Sequence, residues 1–317
     1  MKIFRSLEEV PQDFGPSLVT VGNFDGVHCG HREVLREVAE RARSVGCKTI
    51  AVTFDPHPIR LLRPDLAPKL ITPQPIKEAL LQEAGLDALL VIPFTREFSM
   101  MPAVDFARNI LAGKLRAKEV HEGENFQFGY KAEGNVERLI EFGREMGFSV
   151  KTCHVRMVRG ETVSSSQIRK LIAAGKVARA RRLLGRTFSL TATSDRGRGY
   201  GSKYTVPTIN LGRYDELVPG NGVYLTRTRV GAEVFNSITN VGTRPTFGDN
   251  LYAIETHLLD FHPIELTPET EVEVSFLLFR RPEIKFPSVD ALREQIGKDV
   301  LRAKRYFQLE RAAAGAS

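Results

Sequence analysis

The feature that most constrains this chain is a change of period near its middle. From residue 17, apolar strand-like runs alternate with helical patterns: SLVTVG, an amphipathic stretch from Gly30 to Val45, then TIAVTF, IKEALLQEAG and ALLVIPF. Helical VDFARNILAGKL, strand-like KEVHEG, a further helix and the strand-like run SVKTCHVRMV continue the alternation. Strand and helix in turn is the pattern of a parallel sheet covered on both faces. In the first helix Val34, Leu35, Val38, Ala39, Ala42 and Val45 recur at helical spacing and form one stripe to be buried. SSSQIRKLIAAGKVARARRLLG reads as two short helices, and from Thr187 the pattern is strands: FSLTAT, TVPTINL, GVYLTRTRV, EVFNSITNV, AIETHLLDF and EVEVSFLLF. Gly, Pro, Asn and Asp clusters separate them, which predicts an antiparallel sheet closed into a small barrel, with VDALREQIGKDVLRAKRYF as a terminal helix. The expected fold class is α/β plus all-β: a Rossmann-like parallel sheet in residues 1–184 and a small antiparallel β-barrel in residues 185–317.

A chain of 317 residues suffices for two such domains, each with its own core. No apolar run is long enough to cross a bilayer, and the opening MKIFRSLEEVPQDFG lacks the continuous apolar stretch of an export signal. A cytoplasmic protein with no membrane partner is expected. Cys29, Cys47 and Cys153 are odd in number and contain no CxxC pair, which argues against a disulfide framework and a zinc knuckle. A formal charge of +7 suits either nucleic acid or small substrates rich in phosphate. The barrel strands show no cluster of aromatics interleaved with basic residues, so an RNA-binding module is the weaker reading.

Chemistry concentrates first in VGNFDGVHCGHREVL. A strand ends near Val21, a loop with Gly22, Asn23 and Phe24 follows, and His28, Gly30 and His31 stand where the next helix begins. A helix N-terminus offers free N–H groups and a partial positive charge, a ready site for phosphate. Two imidazoles three residues apart can donate to the same phosphates as charge develops in adenylyl transfer. In ETVSSSQIRKLIAAG, Ser164 and Gln167 have the spacing of a capping box, Ser165 adds a hydroxyl facing an anion, and Arg169, about one turn on, can clamp phosphate oxygens. In the second half Gly197, Gly199 and Gly201 precede Lys203 and the strand-like TVPTINL. This is no dinucleotide fingerprint, which must open a helix, yet such a loop can bring N–H groups to phosphate. Thr208 and Asn210 alternate on one strand face, so both can reach a hard cation, Mg2+, held on ATP.

The strings GNFDGVHCGH, TFDPHP, GENFQFG and VSSSQIR occur here in the order seen in bacterial bifunctional riboflavin kinase/FAD synthetases, and the chain resembles that family from Leu18 to Phe307. The resemblance implies that His28 and His31 meet the phosphates of ATP, with Ser164, Ser165 and Arg169 as the second phosphate-binding motif and Asn125 as a polar residue of the adenylylation site. Phe54, Pro56, His57 and Pro58 would line a loop beside nucleotide and flavin, though for His57 a loop histidine stiffened by prolines is an equal reading. Pro-Thr-Ile-Asn resembles the riboflavin kinase motif that meets Mg-ATP, and Glu255 in IETHLLDF would be the general base. NVGTRPTFG and KFPSVDALREQIGKD are further matches. The chain departs from the pattern at Asn135, where an aspartate is usual, and at Lys203 to Val206. The implied substrates are ATP, riboflavin and FMN, with FAD as product. From the residues alone, an adenylyltransferase for another acceptor with an accessory barrel stays open.

Overall fold

Parallel strands buried on both faces need near-continuous apolar runs, and ALLVI and the mostly apolar, wholly buried SLVTV lie inside one sheet. The computed structural model describes residues 1–195, 208–246, 249–262, 266–267 and 269–314. It divides into a unit Met1–Ser165 and a unit Ser166–Ser317.

In the first unit the elements are β1 (Lys2–Phe4), β2 (Ser17–Val21), α1 (Cys29–Val45), β3 (Lys48–Asp55), α2 (Pro58–Leu62), α3 (Gln74–Gln82) and β4 (Ala88–Pro93). They continue with α4 (Ala103–Asp105), β5 (Ala117–Gly123), α5 (Val136–Met146), β6 (Ser149–Cys153), β7 (Met157–Val158) and β8 (Glu161–Thr162). Six strands pair in parallel in the order β1-β4-β3-β2-β5-β6. Leu35, Val38, Ala39 and Ala42 of α1 are buried, as the stripe requires, whereas Val45 at the helix end is exposed.

Three local readings differ from the sequence expectation. Lys2–Phe4 adds an edge strand beside β4, too short for any period to reveal. SVKTCHVRMV is not one strand: β6 follows β5 until Gly123↔Cys153, where β5 ends and no partner remains, and β7 then pairs with β8 instead. VDFARNILAGKL is helical but widens after α4 into π-helical turns over Phe106–Lys114, with Leu115 N donating to Ile110 O five residues back.

The second unit begins within α6 (Ser165–Ala173) and continues with α7 (Val177–Leu184), β9 (Phe188–Asp195), β10 (Thr208–Leu211), β11 (Gly222–Val230), β12 (Glu233–Thr246), β13 (Asp249–Leu258), β14 (Glu271–Arg281) and α8 (Val289–Ala314). The strands close in the order β10-β13-β12-β11-β14-β9, every pairing antiparallel. A closed sheet has no free edge. Ala303 and Phe307 of α8 pack outside it on Val223, Leu225 and Ile238. The helices α6 and α7 group with the barrel: a side chain at Gly175, between them, would stand 3.2 Å from the Phe279 ring.

Candidate active site

Strand order reverses at β2, with β3 and β4 on one side and β5 and β6 on the other. Such a switch point opens a crevice beyond the carboxyl ends of the strands, where ligands of α/β sheets bind. At this end of β2 a side chain takes over from the ladder. Pairing of β2 with β5 stops at Val19↔Val120, and further on Val21 N donates to the Glu122 carboxylate at 2.5 Å. Glu122 is buried, and burial pushes its carboxyl well above the usual range, against the opposing pull of that hydrogen bond.

The loop leaving β2 leads straight into α1. His28 caps this helix, its Nδ1 accepting from His31 N at 3.2 Å. In the neutral ring the proton therefore sits on Nε2, which is left as a donor. Gly30 makes this possible, since a Cβ there would stand 3.3 Å from His28 Nδ1. The His28 and His31 rings stack at 3.6 Å and 16°, and Phe24 meets His31 edge-on at 5.3 Å. Burial pushes His28 down to about 4. It pushes His31 well below the usual imidazole range, with the charges of His28 and Lys77 adding to the effect. Both rings are thus neutral hydrogen-bond donors near pH 7.

Residues 22–28 adopt an unusual path. Phe24 (φ 48), Gly26 (φ 85) and Val27 (φ 38) are all left-handed, which for Phe and Val costs on the order of 1–3 kcal/mol each. Polar ties hold the path. The Asp25 carboxylate accepts from Ile71 N (3.1 Å) and Thr72 N (3.0 Å), Ser165 Oγ donates to Asp25 O at 2.8 Å, and Lys77 Nζ donates to Asn23 O at 3.3 Å.

Gly22, Asn23, Phe24, His28, Gly30, His31 and Ser165 are thus gathered around one loop. A Cβ at Gly22 would stand 3.3 Å from the Phe24 ring, while Asn23 is exposed. Ser164 immediately precedes α6, and Arg169 lies on that helix in the second unit. Phe54, next to last in β3, lies within an aromatic group, 5.7 Å from Phe94 and 5.9 Å from Phe98. Pro56 follows. His57 caps α2, its Nδ1 accepting from Ile59 N at 3.3 Å, with Pro58 as the first helical residue. Asn125 is exposed in the loop after β5. Asn135 caps α5 by accepting from Arg138 N at 2.9 Å, and Glu133 accepts from Ala103 N at 2.8 Å, so both have structural partners.

In the barrel, Thr208 pairs with His257 and Asn210 with Glu255 across β10 and β13, and Glu255 pairs with Asn240 of β12. Directly opposed residues share a face, as do residues two apart. Thr208, Asn210, Glu255 and Asn240 therefore form one polar patch, and Asn240 Nδ2 donates to Glu283 at 3.2 Å. Gly197, Gly199, Gly201 and Lys203 lie outside the described residues. Sequence reasoning missed Lys77, Glu122 and Asn240. A lysine on the buried stripe with Leu81, and a glutamate inside a central strand, were the signals available for the first two.

A parallel sheet with a histidine pair heading a helix at its switch point, followed by a closed antiparallel barrel, defines a two-domain transferase that handles nucleotides. Family models agree: one described as FAD synthetase matches residues 10–167, and one described as riboflavin kinase matches residues 184–307. Bifunctional riboflavin kinase/FMN adenylyltransferases are similar over nearly the whole length: 33% identity for that of Buchnera aphidicola subsp. Schizaphis graminum (98% of this chain, 100% of the relative) and 32% for that of Escherichia coli strain K12 (99% and 100%). The chain belongs to the bifunctional riboflavin kinase/FMN adenylyltransferase family. It is also similar to a crystal structure described as a macrolide-efflux protein from Streptococcus pneumoniae, at 26% identity and a TM-score of 0.85, covering 95% of this chain and 98% of the other. Among the described residues of this chain, no helix is long and apolar enough to cross a membrane.

Proposed function

We propose that the two activities divide along the chain, residues 1–184 adenylylating FMN to FAD with release of pyrophosphate and residues 185–317 phosphorylating riboflavin to FMN. The observation that carries the first half is the neutral histidine pair at the N-terminus of α1, opening on the switch point. An FMN phosphate oxygen attacks the α-phosphorus of ATP and the bond to pyrophosphate breaks. His28 Nε2–H and the His31 ring stabilise the charge that develops on the phosphate oxygens, and the free N–H groups of α1 add the helix field. Ser164, Ser165 and Arg169 supply the second anion contact, Ser165 through its backbone N–H, since its hydroxyl donates to Asp25 O. Asn125 and the loop of Phe54, Pro56, His57 and Pro58, beside the aromatic group of Phe94 and Phe98, receive the flavin side.

In the barrel, Glu255 takes the proton from the terminal ribityl hydroxyl as that oxygen attacks the γ-phosphorus of ATP and ADP leaves. Thr208 and Asn210 offer the hard oxygen donors that suit Mg2+, and they would hold the ion that ATP carries, which when bound neutralises charge on the transferring phosphoryl group. Gly197, Gly199, Gly201 and Lys203 complete the phosphate side in this reading. Both reactions consume ATP, in keeping with a cytoplasmic protein.

Incubating the purified chain with riboflavin and Mg-ATP and separating the products tests both halves. FMN should form first and then FAD with pyrophosphate. Conversion of supplied FMN into no FAD, with a different acceptor consumed, would establish the alternative adenylyltransferase.

A further inference from the structure

Lys77 sits beneath the loop of residues 22–28 with only 7% of its surface exposed. A buried ammonium normally loses its proton, and burial does lower this one. Asp25 on the loop, Asp55 at the end of β3 and Glu78 on α3 act in the opposite sense, although Glu78 is also committed to Arg5. Two of the three N–H bonds go to Asn23 O and Thr53 Oγ1, each at 3.3 Å. Thr53 Oγ1 in turn lies 3.4 Å from Asn23 O. One lysine thus ties α3 and β3 to the residue just before the left-handed Phe24. Its charge also reaches His31, which faces only His28 and Lys77 among the charged or titratable groups that shift it.

We infer that Lys77 is a positioning residue for adenylyl transfer: it pins the Asn23 carbonyl so that the strained loop and the histidine pair stand ready for the phosphates. The inference rests on reading this site as that of FAD formation. A strained path persists only where its surroundings over-determine it, and Lys77 contributes a tie at the entry to the loop, while Asp25 and Ser165 contribute those at its middle. Losing that tie leaves the groups present but misplaced.

Lys77→Met keeps the length and apolar stem of the side chain and removes the charge. In the full chain, kcat for FAD formation from FMN and Mg-ATP should fall by about 100-fold, the order expected of a misplaced constellation, with little change in KM for ATP. The acid limb of its pH profile should move to higher pH, because the cation that lowers His31 is gone. Lys77→Arg should return the acid limb to its original place, and riboflavin phosphorylation should be unaffected in both variants. A wild-type rate and acid limb in Lys77→Met would overturn the inference, as would parallel loss of both activities with a lowered melting temperature. If Lys77→Met does not fold, Thr53→Val decides: it must lower kcat for FAD formation while sparing the kinase, and an unchanged kcat overturns the inference. His28→Ala run alongside separates the two levels. FAD formation surviving in it defeats the reading of the site and the inference with it; FAD formation lost in it but intact in Lys77→Met defeats the inference alone.

Discussion

At the scale of single residues, the site is built from groups whose ordinary charge is suppressed. His28, His31 and Glu122 are all shifted toward their neutral forms, in each case chiefly by burial. For Glu122 the consequence can be measured as stability. Its folded-state pKa is raised above the unfolded value, so the protonated folded form is favoured, and stability declines as pH rises from the unfolded carboxylate range toward the folded pKa. Glu122→Gln cannot titrate, and its amide oxygen can still accept from Val21 N. Relative to wild type, the variant should therefore gain stability with rising pH above about 4.5, by up to about 1.4 kcal/mol per pH unit, read from urea unfolding over a pH series. A pH-independent difference would mean that Glu122 is ionised in the folded chain. Of these residues the histidine pair was legible in the sequence because it lies within four positions at a helix start. Glu122 was not, because only the end of the β2–β5 pairing at Val19↔Val120 tells a buried acceptor for Val21 N from a solvated strand residue.

Among the elements, the barrel interior shows how far hydropathy misleads. Hydropathy alone would leave the threonines of GVYLTRTRV in water, yet Thr226 and Thr228, alternating with the outward Arg227 and Arg229, point inward and are fully buried with Ser237, Thr239 and Thr256. Their hydroxyls close a ring: Thr226 to Ser237 (2.8 Å), Ser237 to Thr228 (2.8 Å), Thr228 to Thr256 (3.0 Å), Thr256 to Thr239 (2.8 Å) and Thr239 back to Thr226 (2.8 Å). Each hydroxyl can donate once and accept once, so the circuit leaves no donor unpaired. Thr228→Val breaks it and strands one buried donor, and should cost about 1–3 kcal/mol in denaturant unfolding. Adding Ser237→Ala should cost less than the same change made alone, since the two share a bond that is already lost. Strictly additive costs would argue that the hydroxyls act independently. One face of β10 was easier to read, because Thr208 and Asn210 keep the period of two that puts them on one side, whereas Glu255 joins them only through the β10–β13 register.

For the whole molecule, two units with separate cores should carry two separable activities. Glu255→Gln should stop FMN formation from riboflavin while supplied FMN still becomes FAD, and His28→Ala should do the reverse. Assaying each variant with both substrates checks this, and equal loss of both activities in a folded variant would refute the division. By itself the sequence determined the alternation of strand and helix in the first half, the change to antiparallel strands in the second and the histidine pair at a helix start, because period, turn chemistry and helix-start spacing are local properties of the chain. Only the tertiary structure decided that strand order reverses at β2, that Lys77 lies under the loop, that Glu122 is buried against Val21 N and that Asn240 stands beside Glu255. Each of these depends on which strands become neighbours and on what burial does to a charge, and neither is written in any one segment.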